Sequence, residues 1–139
     1  AQIADWRDAA TAGGTDDSTT IDDTASLGPR KIAGDLVVNG TLTQTGPLWV
    51  TGMVDVNNNA TIKAGASLGN TAVPLVADGT IDLSNNVTVT GNGNSGSFVM
   101  LLSTSDSSDA IDISNNVTGG MYYASTGTID VSNNASTTT

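Results

Sequence analysis

The chain has 139 residues, and its 4 Lys and Arg against 14 acidic residues give a net charge of −10. Phosphate backbones are bound by clustered cations, so this charge argues against nucleic acid as a partner. The absence of His and Cys removes the usual general base, thiolate catalysis and Cys-based metal sites. No run of about 20 apolar residues is present, so we expect membrane attachment only through an anchor outside this sequence.

The N-terminal segment, residues 1–26, is predicted to be a short helix followed by a cap segment. Apolar residues recur at spacings of three and four from Ile3 to Ala10, and Gly13-Gly14 ends the pattern. Terminal repeats of a solenoid need a cap, so we expect this helix to cover the first rung. The polar, Asp- and Thr-rich residues 15–26 predict a loop or an irregular first turn.

The remainder of the chain, residues 27–139, is predicted to consist of β-helix repeats. A phrase that reads IDLSNNVT at 81–88 returns with small changes towards the end of the chain. Its copies occupy 54–61, 81–88, 111–118 and 129–136, and a fainter copy at 34–41 aligns without gaps. A unit of roughly 20 to 30 residues that reappears with insertions is typical of a solenoid, in which each copy is one rung stacked on the last.

Each repeat divides into three short strands separated by corners. Val54 and Val56 alternate with Asp55, which is the period of a half-buried strand. The Asn pair that follows favours a bend because Asn tolerates positive φ, and we place the left-handed residue in the column 39, 59, 86, 116 and 134. Three strands and three corners per turn predict an all-β fold, a three-sided, right-handed parallel β-helix of about four to five rungs.

A second Asn column is expected to face the core at this corner. An inward side-chain amide can bond to the amides of the rungs above and below, which would form an Asn ladder. The residues predicted to form this structural ladder are Asn58, Asn85, Asn115 and Asn133.

The Asp of each copy forms a column that includes Asp35, Asp55, Asp82, Asp112 and Asp130. Outward carboxylates one rung apart would repel each other, and a Ca²⁺ ion shared between rungs would relieve this. The alternative is that these carboxylates are solvated and hydrogen-bonded, and calcium-binding solenoids have denser Gly-Asp repeats. We therefore expect no firm metal site and no cofactor, with Ca²⁺ at Asp55, Asp82, Asp112 and Asp130 as the less favoured alternative. We also expect no catalytic residues and no enzyme, since no carboxylate pair differs from the others.

Five Asn-x-Ser/Thr sequons also fall on one column of the repeat. Each is a possible glycosylation site. The solenoid supplies a structural origin for the same pattern, namely a corner Asn, an inward residue and an outward Thr that starts the next strand, and we favour that origin. The sequons begin at Asn39, Asn59, Asn86, Asn116 and Asn134.

Two outer surfaces suggest ligands. Trp49, Tyr122 and Tyr123 belong to the third strand of their repeats, and aromatic side chains of this kind can stack on sugar rings, so this face is a possible polysaccharide site. Thr-rich stretches such as Thr41-Leu42-Thr43 and Val87-Thr88-Val89-Thr90 are compatible with ice binding. Ice binding needs a flat and regular Thr array, and the irregular rung lengths argue against it.

The last copy of the repeat ends one strand into a new rung. An exposed rung offers unpaired backbone groups, which are a template for another chain. We expect either a longer solenoid or end-to-end self-association, and a head-to-tail contact that does not close generates fibres.

The stretches Leu27-Gly28-Pro29-Arg30-Lys31-Ile32-Ala33-Gly34-Asp35-Leu36 and Gly46-Pro47-Leu48-Trp49-Val50-Thr51-Gly52, with the Asn-Asn repeats, carry a resemblance over residues 27–134. The chain resembles Asn-rich β-solenoid bacterial surface proteins of the pilin-like or pilus-associated type and, more distantly, the polymerising bactofilins. The resemblance implies a structural, extracellular or cell-surface role in a filament, a pilus-like appendage or an adhesin. The alternative function is a polysaccharide-binding β-helix module.

Overall fold

The computed structural model describes residues 2–57, 59–66, 69, 72–93, 97, 99–108, 110–114, 117–119, 121–124 and 127–131. A helix precedes a series of short strands. The elements are α1 (Gln2–Ala12), β1 (Thr15–Ile21), β2 (Thr24–Leu27), β3 (Arg30–Val38), β4 (Thr41–Gln44), β5 (Leu48–Val50), β6 (Val54–Val56), β7 (Thr61–Ala64), β8 (Val73–Ala77), β9 (Ile81–Leu83), β10 (Thr88–Thr90), β11 (Val99–Ser103), β12 (Ile111–Ile113), β13 (Thr118–Gly119), β14 (Met121–Ala124) and β15 (Ile129–Val131).

The strands pair in parallel and form three faces. The first face contains the first part of β3 and strands β5, β8, β11 and β14, and the second face contains the last part of β3 and strands β6, β9, β12 and β15. The third face contains β2, β4, β7, β10 and β13. Strand β1 runs along both parts of β3, with a shift in register between Asp17 and Thr19 at the corner. The chain therefore passes the three faces in turn, which confirms the predicted parallel β-helix.

Alternation along each strand places one set of side chains inside the coil. In β9, Ile81 and Leu83 are fully buried and Asp82 between them is half-buried. The inward Val, Ile, Leu and Ala side chains of successive rungs form one continuous apolar cluster. Burial of this apolar surface is the main source of stability for rungs that contain three short strands each.

The solenoid begins earlier in the chain than the start predicted at Leu27. Strands β1 and β2 pair with β3 and β4, so most of the predicted cap segment forms a first rung. Between the first and second faces, Gly34 has a φ of 149°, and a Cβ atom there would lie 2.1 Å from the Ser18 hydroxyl oxygen. The close approach of these two rungs therefore requires glycine at this corner.

The gapless alignment of the first copy is wrong. Leu36, Val37 and Val38 pair with Val54, Asp55 and Val56, whereas Thr41 pairs with Thr61 as expected. The corner before Thr41 is shorter by two residues than the corner before Thr61, so the alignment needs a gap. Asp35 is therefore not part of the Asp column, and its carboxylate accepts a hydrogen bond of 2.9 Å from the Met53 amide.

The corners between the second and third faces do turn through left-handed Asn residues. Asn59 and Asn86 have φ values of 64° and 68°, as predicted, whereas Asn39, in the shorter corner, does not have a positive φ. Asn85 also has a positive φ and is exposed, so its predicted inward position in an Asn ladder is wrong. Val87 fills the inward place at that corner instead. The predicted ladder residues Asn58, Asn115 and Asn133 lie outside the described residues.

Helix α1 forms where the apolar spacing predicts it and packs on the outer side of the first face. It contacts β3, β5 and β8, so it covers the flank of several rungs rather than the end of the first one. Ala10, on the helix side that meets the solenoid, is fully buried. At its C-terminal end, a Cβ atom on Gly13 would lie 1.7 Å from the carbonyl oxygen of Pro29, so the chain can pass only with glycine at this position.

Candidate functional site

The outward column of the second face contains four carboxylates in register. Asp55, Asp82, Asp112 and Asp130 pair directly from strand to strand along β6, β9, β12 and β15. Val37 occupies the equivalent position in the second rung. The column is therefore confirmed for four of the five predicted Asp residues.

Asp82 lies in the middle of this column, between Asp55 and Asp112. Burial, together with the charges of Asp112 and Asp55, raises the pKa of the Asp82 carboxyl above its ordinary value. Asp55 accepts a hydrogen bond of 2.9 Å from the Asn57 side-chain amide. The described part of the chain brings together no group of three or more His, Cys, Asp or Glu side chains that could hold a metal ion. The described part of the column is therefore a stripe of partly exposed carboxylates on the outer surface.

The three aromatic residues of the predicted sugar platform do not lie on one surface. Tyr122 points inward, is 6% exposed, and its hydroxyl donates to the Gly119 carbonyl oxygen at 2.9 Å. Tyr123 points outward and is 52% exposed. Trp49 is also outward but three rungs away, with Val76 and Leu102 between them in the same column. Alternation along β14 makes it impossible for both tyrosines to face solvent.

Asp78 is the centre of a polar cluster at the edge of the first face. Its carboxylate accepts hydrogen bonds from the Trp49 indole N–H at 2.9 Å and from the Thr104 hydroxyl at 3.0 Å. The Arg7 guanidinium of α1 forms an ion pair with the same carboxylate. The Trp49 ring also has the Lys31 ammonium 4.4 Å from its centroid and the Arg7 guanidinium 5.4 Å from it. Both distances allow cation–π attraction.

This cluster attaches α1 to the solenoid. Trp49 is engaged by two cations and an aspartate, so its ring is part of the helix-docking contact rather than a free stacking surface. Sequence reasoning missed Asp78 because it belongs to no repeat column and its partner Arg7 is distant along the chain. The sequence signal for this contact is Arg7, a cationic residue among the apolar positions of the N-terminal helix.

A second ion pair lies at the N-terminal end of the coil. Arg30 donates to both carboxylate oxygens of Asp16, at 2.8 and 3.0 Å, and to the Gly13 carbonyl oxygen at 2.7 Å. The hydrogen bond and the charge of Arg30 lower the pKa of the Asp16 carboxyl below its ordinary value. Both residues occupy inward strand positions, aligned with Leu48 and Ile32 of neighbouring rungs. A shallow cavity of about 370 Å³ beside them is open to solvent.

The sequon residues have different surroundings. Asn59 and Asn86 are exposed, as a glycan acceptor must be. Asn39 is half-buried and donates to the Asp22 carboxylate at 3.1 Å. Asn116 and Asn134 lie outside the described residues. Glycosylation stays a prediction for the exposed pair.

No helix in the described part of the chain is long and apolar enough to cross a membrane. Comparisons with protein-family models, with curated proteins and with solved structures found no match.

Proposed function

We propose that this chain is a structural rod at the cell surface, a segment of a filament, pilus-like appendage or adhesin that grows by end-to-end stacking of rungs. The observation that carries the proposal is the strand order. In the described part of the chain, β1 and β2 form the edge of the coil at one end, and β13, β14 and β15 form the edge at the other. Edge strands with free backbone N–H and C=O groups pair readily with another strand.

The strands at the two ends of the coil run in the same direction. All pairings are parallel, so a rung added at either end continues the same hydrogen-bonding pattern. The inward side chain of Ile129, which packs at the edge of the apolar cluster, is half-buried and would be covered by the next rung. The next rung is supplied either by a second copy of this chain or by further repeats of a longer one.

Electron microscopy of negatively stained protein tests the stacking directly. We expect rods of variable length for the wild type and short particles for Ile129→Lys, because a buried unpaired charge at the joint is costly. Thr88→Lys adds the same charge to an exposed position of the third face and should leave the rods intact. Circular dichroism confirms that each variant is folded. Single particles of one length at every wild-type concentration would contradict self-assembly.

Polysaccharide binding is the second candidate and rests on Tyr123, the exposed outward aromatic of the first face. Retention on a glycan array that is lost in Tyr123→Ala but kept in Met53→Ala, which alters an equally exposed apolar side chain, would favour it. An array without any retained glycan would remove it.

A further inference from the structure

The third face presents a two-column array of hydroxyl groups to solvent. Its strands pair without any register shift from β2 through β4, β7 and β10 to β13. The first outward column consists of Thr24, Thr41, Thr61, Thr88 and Thr118, and the second consists of Ser26, Thr43, Lys63 and Thr90. None of these side chains is buried.

The irregular rung lengths do not disturb this array. The extra residues lie between β7 and β8, between β10 and β11, and between β11 and β12, which places them at the ends of the first face. The third-face strands therefore keep one repeat of about 4.8 Å between rungs and about 6.7 Å between alternate residues along a strand. Irregular rung lengths therefore leave the strand spacing of this face regular, with a continuous Thr column and a second column that Lys63 interrupts.

The hydroxyl groups of the array are available to solvent. Among the described residues, the Thr side chains of the two columns make no intramolecular hydrogen bond, whereas Thr11, Thr19, Thr45 and Thr104 elsewhere each donate one. The β-branched Thr side chain has few χ1 states, so its hydroxyl and methyl groups are held in place before any ligand arrives. A fixed array loses less conformational entropy on binding than a mobile one.

The same surface contains no acidic side chain among its described strands. Although the chain carries 14 acidic residues, none lies in β2, β4, β7, β10 or β13. Lys63 is the single charged side chain among the outward positions described on this face. The five strands also contain no aromatic residue. A shallow cavity of about 320 Å³ borders the second column, where it is lined by Thr43, Lys63 and Asn92. These properties disfavour stacking on sugar rings and favour a ligand that is itself a regular lattice of hydrogen-bonding groups.

We propose that the third face binds ice. Ordered water at an ice surface supplies donors and acceptors that repeat in two dimensions. The two outward columns supply hydroxyl groups at the regular strand spacing, continuous in the first column and interrupted by Lys63 in the second. The methyl groups between them are apolar and keep mobile water away from the hydroxyls. Binding of this kind uses a lateral face and is independent of rung stacking at the ends of the coil.

Ice-affinity partitioning, which measures the fraction of protein taken up by growing ice, tests the proposal. A slowly growing ice front should incorporate the wild-type protein and leave Thr61→Lys in the liquid, because the long charged side chain stands in the middle of the first column. Thr51→Lys makes the same substitution at an exposed Thr outside the array and should partition like the wild type. Circular dichroism establishes that all three are folded. Exclusion of the wild type from ice, or equal partitioning of both Lys variants, would overturn the proposal.

A gain-of-function variant gives an independent test. Lys63→Thr removes the charge and completes the second column, so it should increase the fraction of protein in the ice and strengthen the inhibition of ice recrystallisation. An unchanged or lower fraction would count against the array. If ice excludes the protein and the protein co-sediments with crystalline cellulose or chitin, the ice proposal is wrong and the third face binds a polysaccharide surface instead. Rods in electron micrographs of Thr61→Lys would show that the two properties are separate.

Discussion

The first rung and the fourth rung cover the same three faces of the coil with very different residues. In the first rung, β1 carries Asp16 and Thr19 at inward positions, and Leu27 of β2 is half-buried. In the fourth rung, β8, β9 and β10 carry inward aliphatic residues that are all buried, such as Ile81 and Leu83. Both rungs nevertheless pair in register with their neighbours.

The difference shows two ways in which a rung can be held. The fourth rung is buried between rungs on both sides, so apolar burial stabilises it. The first rung has one neighbour in the described structure, and its strands are held by ladder hydrogen bonds to β3 and β4 and by the Arg30–Asp16 ion pair. Its inward Asp16 and Thr19 therefore supply less apolar burial than the aliphatic residues of the fourth rung.

The largest expected effect is in the fourth rung. Leu83→Ala removes a fully buried side chain and leaves a cavity, so we expect it to lower the free energy of unfolding by about 2–5 kcal/mol. Leu27→Ala is the matched change in the first rung and should cost clearly less, because that side chain is only half-buried. Urea denaturation measures both. Equal losses would show that the first rung is as tightly packed as the fourth.

The second largest loss of stability is expected for Asp78→Ala. It removes the acceptor for Arg7, Trp49 and Thr104, and for this partly exposed cluster we expect a loss of about 1 kcal/mol. We expect α1 to detach in this variant and to be cleaved by protease while the solenoid stays intact. Limited proteolysis followed by mass spectrometry detects this cleavage. Asp106→Ala, at an exposed Asp of the following loop, is the control and should leave α1 protected. Unchanged cleavage in Asp78→Ala would mean that the apolar contacts alone hold the helix.

The carboxylate of the first rung predicts one pH dependence. The pKa of Asp16 is lowered in the folded chain, so its ion pair stabilises the fold above the unfolded-state pKa. This contribution is lost as the pH falls through the lowered pKa. Asp16→Asn should therefore reduce the melting temperature at neutral pH, with a difference from the wild type that closes in acid. A difference that is constant with pH would exclude the ion pair as its cause.

The carboxylate column predicts the opposite and smallest effect. The pKa of Asp82 is raised in the folded chain, so its ionisation destabilises the fold at neutral pH, and stability is gained as the pH falls through the raised value towards the ordinary one. Asp82→Asn should slightly raise the melting temperature at neutral pH and lose this advantage in acid. Asp130→Asn, at the exposed end of the column, should have less effect. A lower melting temperature for Asp82→Asn at neutral pH would contradict repulsion within the column.

Sequence reasoning identified the parts of the fold in which equivalent residues keep the same chemistry. The aliphatic-Asp-aliphatic phrase aligned β6, β9, β12 and β15, and apolar triplets such as Leu48-Trp49-Val50 located the first-face strands. These matches follow from stacking, because inward positions of successive rungs share one core and outward positions share solvent. The end of α1 was also predicted from the sequence, because glycine ends helices through its own conformational preference.

The amino-acid sequence thus determined the period, the core-facing residues and the parallel coil. Only the tertiary structure decided the register of the first copy, the exposed position of Asn85, the flank on which α1 docks and the regularity of the Thr face. Each of these depends on how many residues a corner contains and which backbone groups meet across it. Corners of different length can join strands that pair in perfect register, and a linear pattern does not reveal this before the rungs are stacked.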